Sequence, residues 1–404
     1  MVYKYKTFKK IKLLKSISYV GISKLIIILS QLLFVGTFAK ILPVEDLGIY
    51  ALALSIVIPI VWALTFDAPI KIISNSLETK NLFIILFPNI FFLSALIMIY
   101  YLMLAFSFKV PIFYLLLLLL LLFKIGEIVS EIYNADLRRE EKFIYFSFVS
   151  SIRFLIVYVS GSATIIFGYQ VIPSIVVLTI ISTVFALWSL YKLVKRGFHF
   201  KININNIMPY VNRNISLGIA SGIKFFSTNL MRYFIALQFG ISTLGYITPI
   251  FYGLTALSSI STIFENVISP KILKRIDNNN FSILSNKQEL TLLLIVSILI
   301  IIFAVFLSNY YYSFFFSEDK NNYHYLLIAF SAGWIFITLR SILKITSYKL
   351  KLQHLQIKIQ FMFMFLLLAL MYILSLIYGI LGVSIAFVIS NIIICFYYMF
   401  QIKK

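Results

Sequence analysis

Apolar residues run along this chain in long stretches, broken by short polar segments. Twelve such stretches stand out, at 18–40, 47–70, 81–106, 111–131, 143–168, 171–192, 214–239, 245–268, 289–308, 323–344, 357–378 and 380–401. A helix crossing the hydrocarbon core of a bilayer needs about 20 mostly apolar residues. Barrel strands would instead be roughly 10-residue segments of alternating polarity. The stretches here are about twice that length and continuously apolar, so helices are predicted. Turn-forming residues divide closely spaced pairs: Gly168 and Pro173 separate two, and Gly240 and Gly245 bound another turn. Ser317–Asn322 and Asp277–Asn280 are polar breaks. The pattern predicts an all-α integral membrane protein with twelve transmembrane helices.

Composition agrees. Of the 404 residues, 61% are hydrophobic and 12% charged, against roughly 45–50% and about 25% in soluble domains. The formal net charge of +21 suggests nucleic acid at first sight. Its distribution excludes that reading, because the basic residues sit in short loops between apolar spans. With the N-terminus inside, 26 of the 35 Lys and Arg fall in inside segments, and only Lys40, Lys109 and Lys320 in outside loops. Basic residues flanking spans mark the cytoplasmic side. Both termini are therefore expected in the cytoplasm, and most of the charge is topology. Residues 1–17 carry six lysines without a cleavable apolar core, which suits a cytoplasmic basic amphipathic segment on an anionic membrane surface.

The basic loop 193–213 divides the spans into two sets of six. An N-lobe is expected at 18–192, a cytoplasmic linker at 193–213 and a C-lobe at 214–404, around a central lumen. Leu47-Gly48 and Leu244-Gly245 align as a weak repeat between the halves. Parallel repeats of this kind are a transporter architecture with the site between them.

Ten charged residues lie within the spans: Lys24, Asp67, Lys124, Glu127, Glu131, Arg153, Lys224, Arg232, Glu265 and Arg340. Each costs roughly 2.5–3.5 kcal/mol or more at a helix centre, so each must face a cavity or a partner. Asp67, Glu131, Glu265 and Arg340 lie near cytoplasmic ends, where snorkelling or local pairing accounts for them. Lys124, Glu127 and Glu131 share one helix face, and a Lys124–Glu127 pair offsets much of the cost. Lys24, Arg153, Lys224 and Arg232 have no acidic residue nearby on their own helices. They are the candidate lining of a cationic, anion-attracting lumen, with pairing to Asp67 or Glu265 across helices as the alternative. Such a lumen suits a phosphorylated sugar, since Arg offers phosphate a bidentate fork and Lys a point charge.

Other chemistry is missing from the sequence. There is no Walker A motif, no HExxH, no TVGYG-like filter and a single cysteine, Cys395, within an apolar span. No catalytic residues, metal site or cofactor are expected. The outside loops are too short for the external catalytic domain that membrane glycan polymerases usually carry. Gly218 and Gly222 have GxxxG spacing, which points to close helix packing.

The segment Phe38-Ala39-Lys40-Ile41-Leu42-Pro43-Val44-Glu45-Asp46-Leu47-Gly48-Ile49-Tyr50-Ala51 resembles the first-hairpin signature of polysaccharide-export flippases. Leu244-Gly245-Tyr246 with Ser269-Pro270-Lys271, and Tyr378-Gly379-Ile380-Leu381-Gly382, resemble their later hairpins. The chain thus resembles the O-antigen repeat-unit flippase (Wzx-type) family of the multidrug/oligosaccharidyl-lipid/polysaccharide exporter superfamily. It departs from the pattern at Met231, where an acidic residue often precedes the basic one. The resemblance implies two six-helix lobes in the bacterial inner membrane. The implied activity is translocation of undecaprenyl-diphosphate-linked oligosaccharide from the cytoplasmic to the periplasmic leaflet. Membrane lipid and other polysaccharide-assembly membrane proteins are the implied partners. An H+ or Na+ gradient would drive transport, with Asp67 and Glu265 as candidates for coupling. The alternatives are a multidrug exporter of the same superfamily and a membrane glycan polymerase or acyltransferase.

Overall fold

The computed structural model describes residues 2–73, 80–105, 112–202, 204–257, 287–316, 323–349 and 354–403. Glu265 and the breaks at 277–280 and 317–322 lie outside the described residues. Fourteen α-helices follow in chain order. They are α1 Val2–Ile41, α2 Val44–Leu64, α3 Ala68–Ile73, α4 Leu82–Ala105, α5 Ile112–Arg139, α6 Phe143–Ile166, α7 Val171–Val194, α8 Ile207–Phe239, α9 Ile241–Leu257, α10 Lys287–Phe315, α11 His324–Ala332, α12 Trp334–Lys349, α13 His354–Tyr378 and α14 Ile380–Lys403. Among the described residues the only strand-like pairing is an isolated bridge between Asn81 and His199.

Eight described helices are long and apolar enough to cross a membrane, against the twelve spans expected. They include the first six expected spans and the last two. The difference falls between residues 214 and 344. Stretch 214–239 is helical within α8, but Lys224, Arg232 and a run of Ser, Thr and Asn make it less apolar. Stretch 245–268 is described only as far as Leu257. Stretch 289–308 lies within α10, where Ile295–Phe306 is a shorter apolar helix.

Two expected spans are interrupted. The second stops at Leu64 rather than continuing to residue 70, because Phe66 and Asp67 adopt left-handed backbone angles, φ 51° and 53°. The turn buries the Phe66 ring against Tyr210. The tenth divides at Gly333 into α11 and α12. Residues 2–17 of the basic segment form one helix with the first span.

The chain forms two compact units, Met1–Arg232 and Tyr233–Lys404. The division falls inside α8. In the first unit, the start of α8 packs on the end of α2. A Cβ on Gly218 would stand 2.6 Å from the Ala63 carbonyl oxygen and 2.6 Å from the Phe66 ring, so only glycine admits this approach. Trp62 and Phe225 stack with ring centroids 5.0 Å apart, and Lys71 donates to Asn214. The GxxxG spacing is thus used for packing. Elsewhere in this unit α1 lies along α6, and α5 is flanked by α2, α3, α4, α6 and α7.

The second unit is built around α13, α14 and the divided pair α11 and α12. The Trp334 indole N–H donates to the Leu257 carbonyl at 3.0 Å, and the Tyr311 hydroxyl to that of Pro249 at 2.7 Å. Arg340, expected to snorkel or to pair locally, donates to Asn391 at 3.2 Å and Gln360 at 3.0 Å and lies 3.9 Å from the Phe363 ring centroid.

An ion network closes the end of the first unit at the α5–α6 turn. Asp136, with its side chain wholly buried, pairs with Arg139 at 2.5 Å and Arg196 at 2.8 Å. Arg196 also meets Glu140 at 2.8 Å, Glu140 meets Lys142 at 2.6 Å, and Arg138 pairs with Glu131. The Lys142 hydrogen bond, with help from Arg196, holds the Glu140 carboxyl below the ordinary carboxylate value. A lowered folded-state pKa gives stability that is present above the unfolded value and lost as pH falls through the folded one. Thermal stability in detergent should therefore weaken as pH drops below about 4.5. Glu140→Gln should be less stable than wild type at pH 7, with the difference shrinking toward pH 3. An unchanged gap across that range would refute the linkage.

Candidate functional site

The charged centre of the first unit lies where α5 and α6 pass each other. On α5, Lys124 pairs with Glu127 at 2.5 Å, one helical turn apart, with side chains 14% and 18% exposed. Arg153 on α6 is buried and donates to the backbone carbonyl of Glu127 at 3.5 Å. Its guanidinium lies 4.4 Å from the centroid of the Phe154 ring. Arg153 stands ten residues beyond the start of α6 at Phe143, about 15 Å at 1.5 Å per residue. That is near the middle of a hydrocarbon core about 30 Å thick.

Ser147 and Ser150 precede Arg153 by six and three residues on α6, and both hydroxyls are buried with no hydrogen-bond partner among the described residues. Ser23 donates to the Ser147 carbonyl at 3.1 Å, and Gln31 to the Tyr158 hydroxyl at 3.4 Å. These two rungs hold α1 along α6 on either side of the level of Arg153. They set Lys24 on the neighbouring helix, where it is exposed on the surface of the unit.

The remaining candidates lie on α8. Lys224 is exposed, with its ammonium 5.1 Å from the Phe225 ring centroid. Arg232 donates to Asn229 at 2.6 Å. Ser227, Thr228 and Asn229 bond back to their own helix, at Lys224, Phe225 and Phe225. Lys24 and Arg153 are thus brought to one helix pair, and Lys224 and Arg232 form a separate polar stripe. Among the described residues, Asp67 makes no ion pair with Lys24, Arg153 or Lys224.

The arrangement adds residues that were taken from the sequence as a local pair. The backbone carbonyl of Glu127 stands against Arg153, which the i, i+3 spacing of Lys124 and Glu127 alone does not reveal. The antiparallel α5–α6 hairpin, folded at Glu140–Lys142, brings residue 127 opposite residue 153. Among the described residues the Glu127 carboxylate pairs with Lys124, and Glu131 pairs with Arg138. Among the described residues no group of three or more His, Cys, Asp and Glu is placed to hold a metal ion.

No family model matches this chain, and no curated protein matches it. Solved structures do share its fold. The lipid II flippase MurJ, in an inward closed conformation, superimposes with a TM-score of 0.69 at 17% identity, over 95% of this chain and 87% of the other. An outward-facing multidrug resistance MATE family transporter of the MOP superfamily gives 0.62 at 15% identity, over 96% of each chain. A MOP superfamily transporter from Pyrococcus furiosus gives 0.61 at 14% identity, over 96% and 95%. That protein is described by a reversed polarity of its binding pocket, which suggests a different function. The chain is a multi-pass membrane protein with the fold of these flippases and exporters.

Proposed function

We propose that this protein is a flippase. In this reading it carries undecaprenyl-diphosphate-linked oligosaccharide repeat units, of an O-antigen or capsule, from the cytoplasmic to the periplasmic leaflet. The observation that carries the reading is the surplus of cations over carboxylates in the spans of the first unit, Lys24, Lys124, Arg153, Lys224 and Arg232 against Asp67, Glu127 and Glu131. A fold shared with a lipid II flippase supports it. A diphosphate is the part of a lipid-linked sugar that such a site recognises, through charge-assisted hydrogen bonds about twice as strong as neutral ones. The polyprenyl tail stays in lipid while the sugar head enters the polar interior.

Twelve spans in two six-helix lobes, 18–192 and 214–404, move by alternating access around a lumen in this reading. The chain resides in the bacterial inner membrane with both termini in the cytoplasm. Lys24, Arg153, Lys224 and Arg232 bind the substrate, and Asp67 and Glu265 are the sites at which an H+ or Na+ gradient couples. The shared fold with MATE exporters keeps drug efflux as the second reading. A cationic interior repels cationic drugs and favours the flippase.

The test uses proteoliposomes bearing undecaprenyl-diphosphate oligosaccharide in both leaflets. A membrane-impermeant lectin then reports how much glycan becomes reachable with time, with and without an imposed ion gradient. Protein-dependent exposure is expected. Efflux of a dye cation without any glycan exposure would overturn the flippase in favour of the exporter.

A further inference from the structure

We propose that Glu127 is the resident anion of the cationic site, holding Lys124 until the diphosphate of the substrate displaces it. The inference rests on the flippase reading and gives a role to a residue outside the cations assigned to the substrate.

Geometry singles out this carboxylate. Glu127 stands within one turn of Lys124 at 2.5 Å, and its own backbone carbonyl is the hydrogen-bond acceptor of Arg153. Its carboxylate therefore belongs to the same turn that the buried guanidinium touches, yet among the described residues it bonds only to the lysine. A guanidinium carries five N–H donors, and among the described residues Arg153 donates to the Glu127 carbonyl alone. A diphosphate brings acceptor oxygens that both the guanidinium and the ammonium can use.

Charge gives the direction. Lys124 and Arg153 against Glu127 leave one uncompensated positive charge near mid-membrane. A purely structural pair would need only Lys124 and Glu127, and would leave Arg153 costly. A diphosphate diester carries two negative charges, so it takes over both cations and leaves the Glu127 carboxylate as one uncompensated negative charge beside it. Return of Glu127 to Lys124 then expels the diphosphate, so the carboxylate weakens binding and speeds release.

The experiment measures binding of inorganic pyrophosphate to the purified full-length protein by calorimetry, together with glycan exposure in proteoliposomes. Glu127→Gln should bind pyrophosphate at least about tenfold more tightly and turn over more slowly, with a lowered half-saturation concentration for lipid-linked substrate. Glu127→Asp, which keeps the charge on a shorter arm, should fall between it and wild type, and serves if the glutamine variant does not fold. Unchanged or weaker pyrophosphate binding in either folded variant would overturn the inference. If wild type transports and Arg153→Ala does not, the flippase survives that failure. If wild type neither binds pyrophosphate nor exposes glycan, both readings fall.

Discussion

Arg153→Ala is expected to lower glycan exposure in proteoliposomes by roughly tenfold to a hundredfold. A hydrogen bond to a charged group contributes about 1.5–3 kcal/mol, and each 1.4 kcal/mol is about tenfold in affinity. The protein should still fold. The contacts of Arg153 are a backbone carbonyl and the Phe154 ring, so its removal orphans no buried carboxylate. The thermal midpoint in detergent should therefore move little. Arg153→Lys keeps the charge but loses the planar fork that matches a phosphate, and should recover only part of the activity. Transport at the wild-type rate in Arg153→Ala would return this guanidinium to a packing role. Loss of transport together with loss of the folded state would make it structural.

Arg153 also shows how far the sequence can be read. Its depth follows from counting residues into an apolar stretch, and the expense of a charge at that depth marks it as needing an explanation. What surrounds it depends on which residues of α5 face it across the hairpin. That register is set by the turn at Glu140–Lys142, whereas Gly126, whose added Cβ would stand 2.8 Å from the Ser182 hydroxyl, sets how closely α7 approaches α5. A one-dimensional pattern reports that Lys124 and Glu127 lie on one face, but not which helix that face meets. The break after Leu64 was hidden for a related reason. Hydropathy continues through Phe66, Ala68, Pro69 and Ile70, while the backbone turns so that Phe66 can fill the space beside Gly218. The division at Gly333 lies within a run just as apolar. The long uninterrupted spans of the first half needed no such tertiary information, and their helices match the apolar stretches closely.

The largest stability effect is expected at Asp136 rather than at the candidate site. Its carboxylate is fully buried and takes one guanidinium from its own helix, Arg139, and one from the chain just beyond α7, Arg196. Asp136→Ala would leave two arginines facing each other without their counter-ion. Removing one partner of a buried ion pair costs about 3–5 kcal/mol. The lower end applies here, because Arg139 and Arg196 are 24% and 20% exposed and water screens part of the repulsion. Asp136→Asn keeps the shape and one acceptor oxygen, and should lose less. Arg196→Gln should lose less again, since Arg139 still neutralises the aspartate. That order, Ala worse than Asn worse than the Arg196 variant, separates an electrostatic joint from simple packing, in which alanine and asparagine would differ by volume alone. Tryptophan fluorescence during thermal unfolding in detergent reads it directly, because Trp188 stands 5.5 Å from the Tyr133 ring, which lies beneath Arg196. Equal midpoints for wild type and Asp136→Ala would show that α5 and α7 are held by their apolar faces and that the ion network merely decorates their ends.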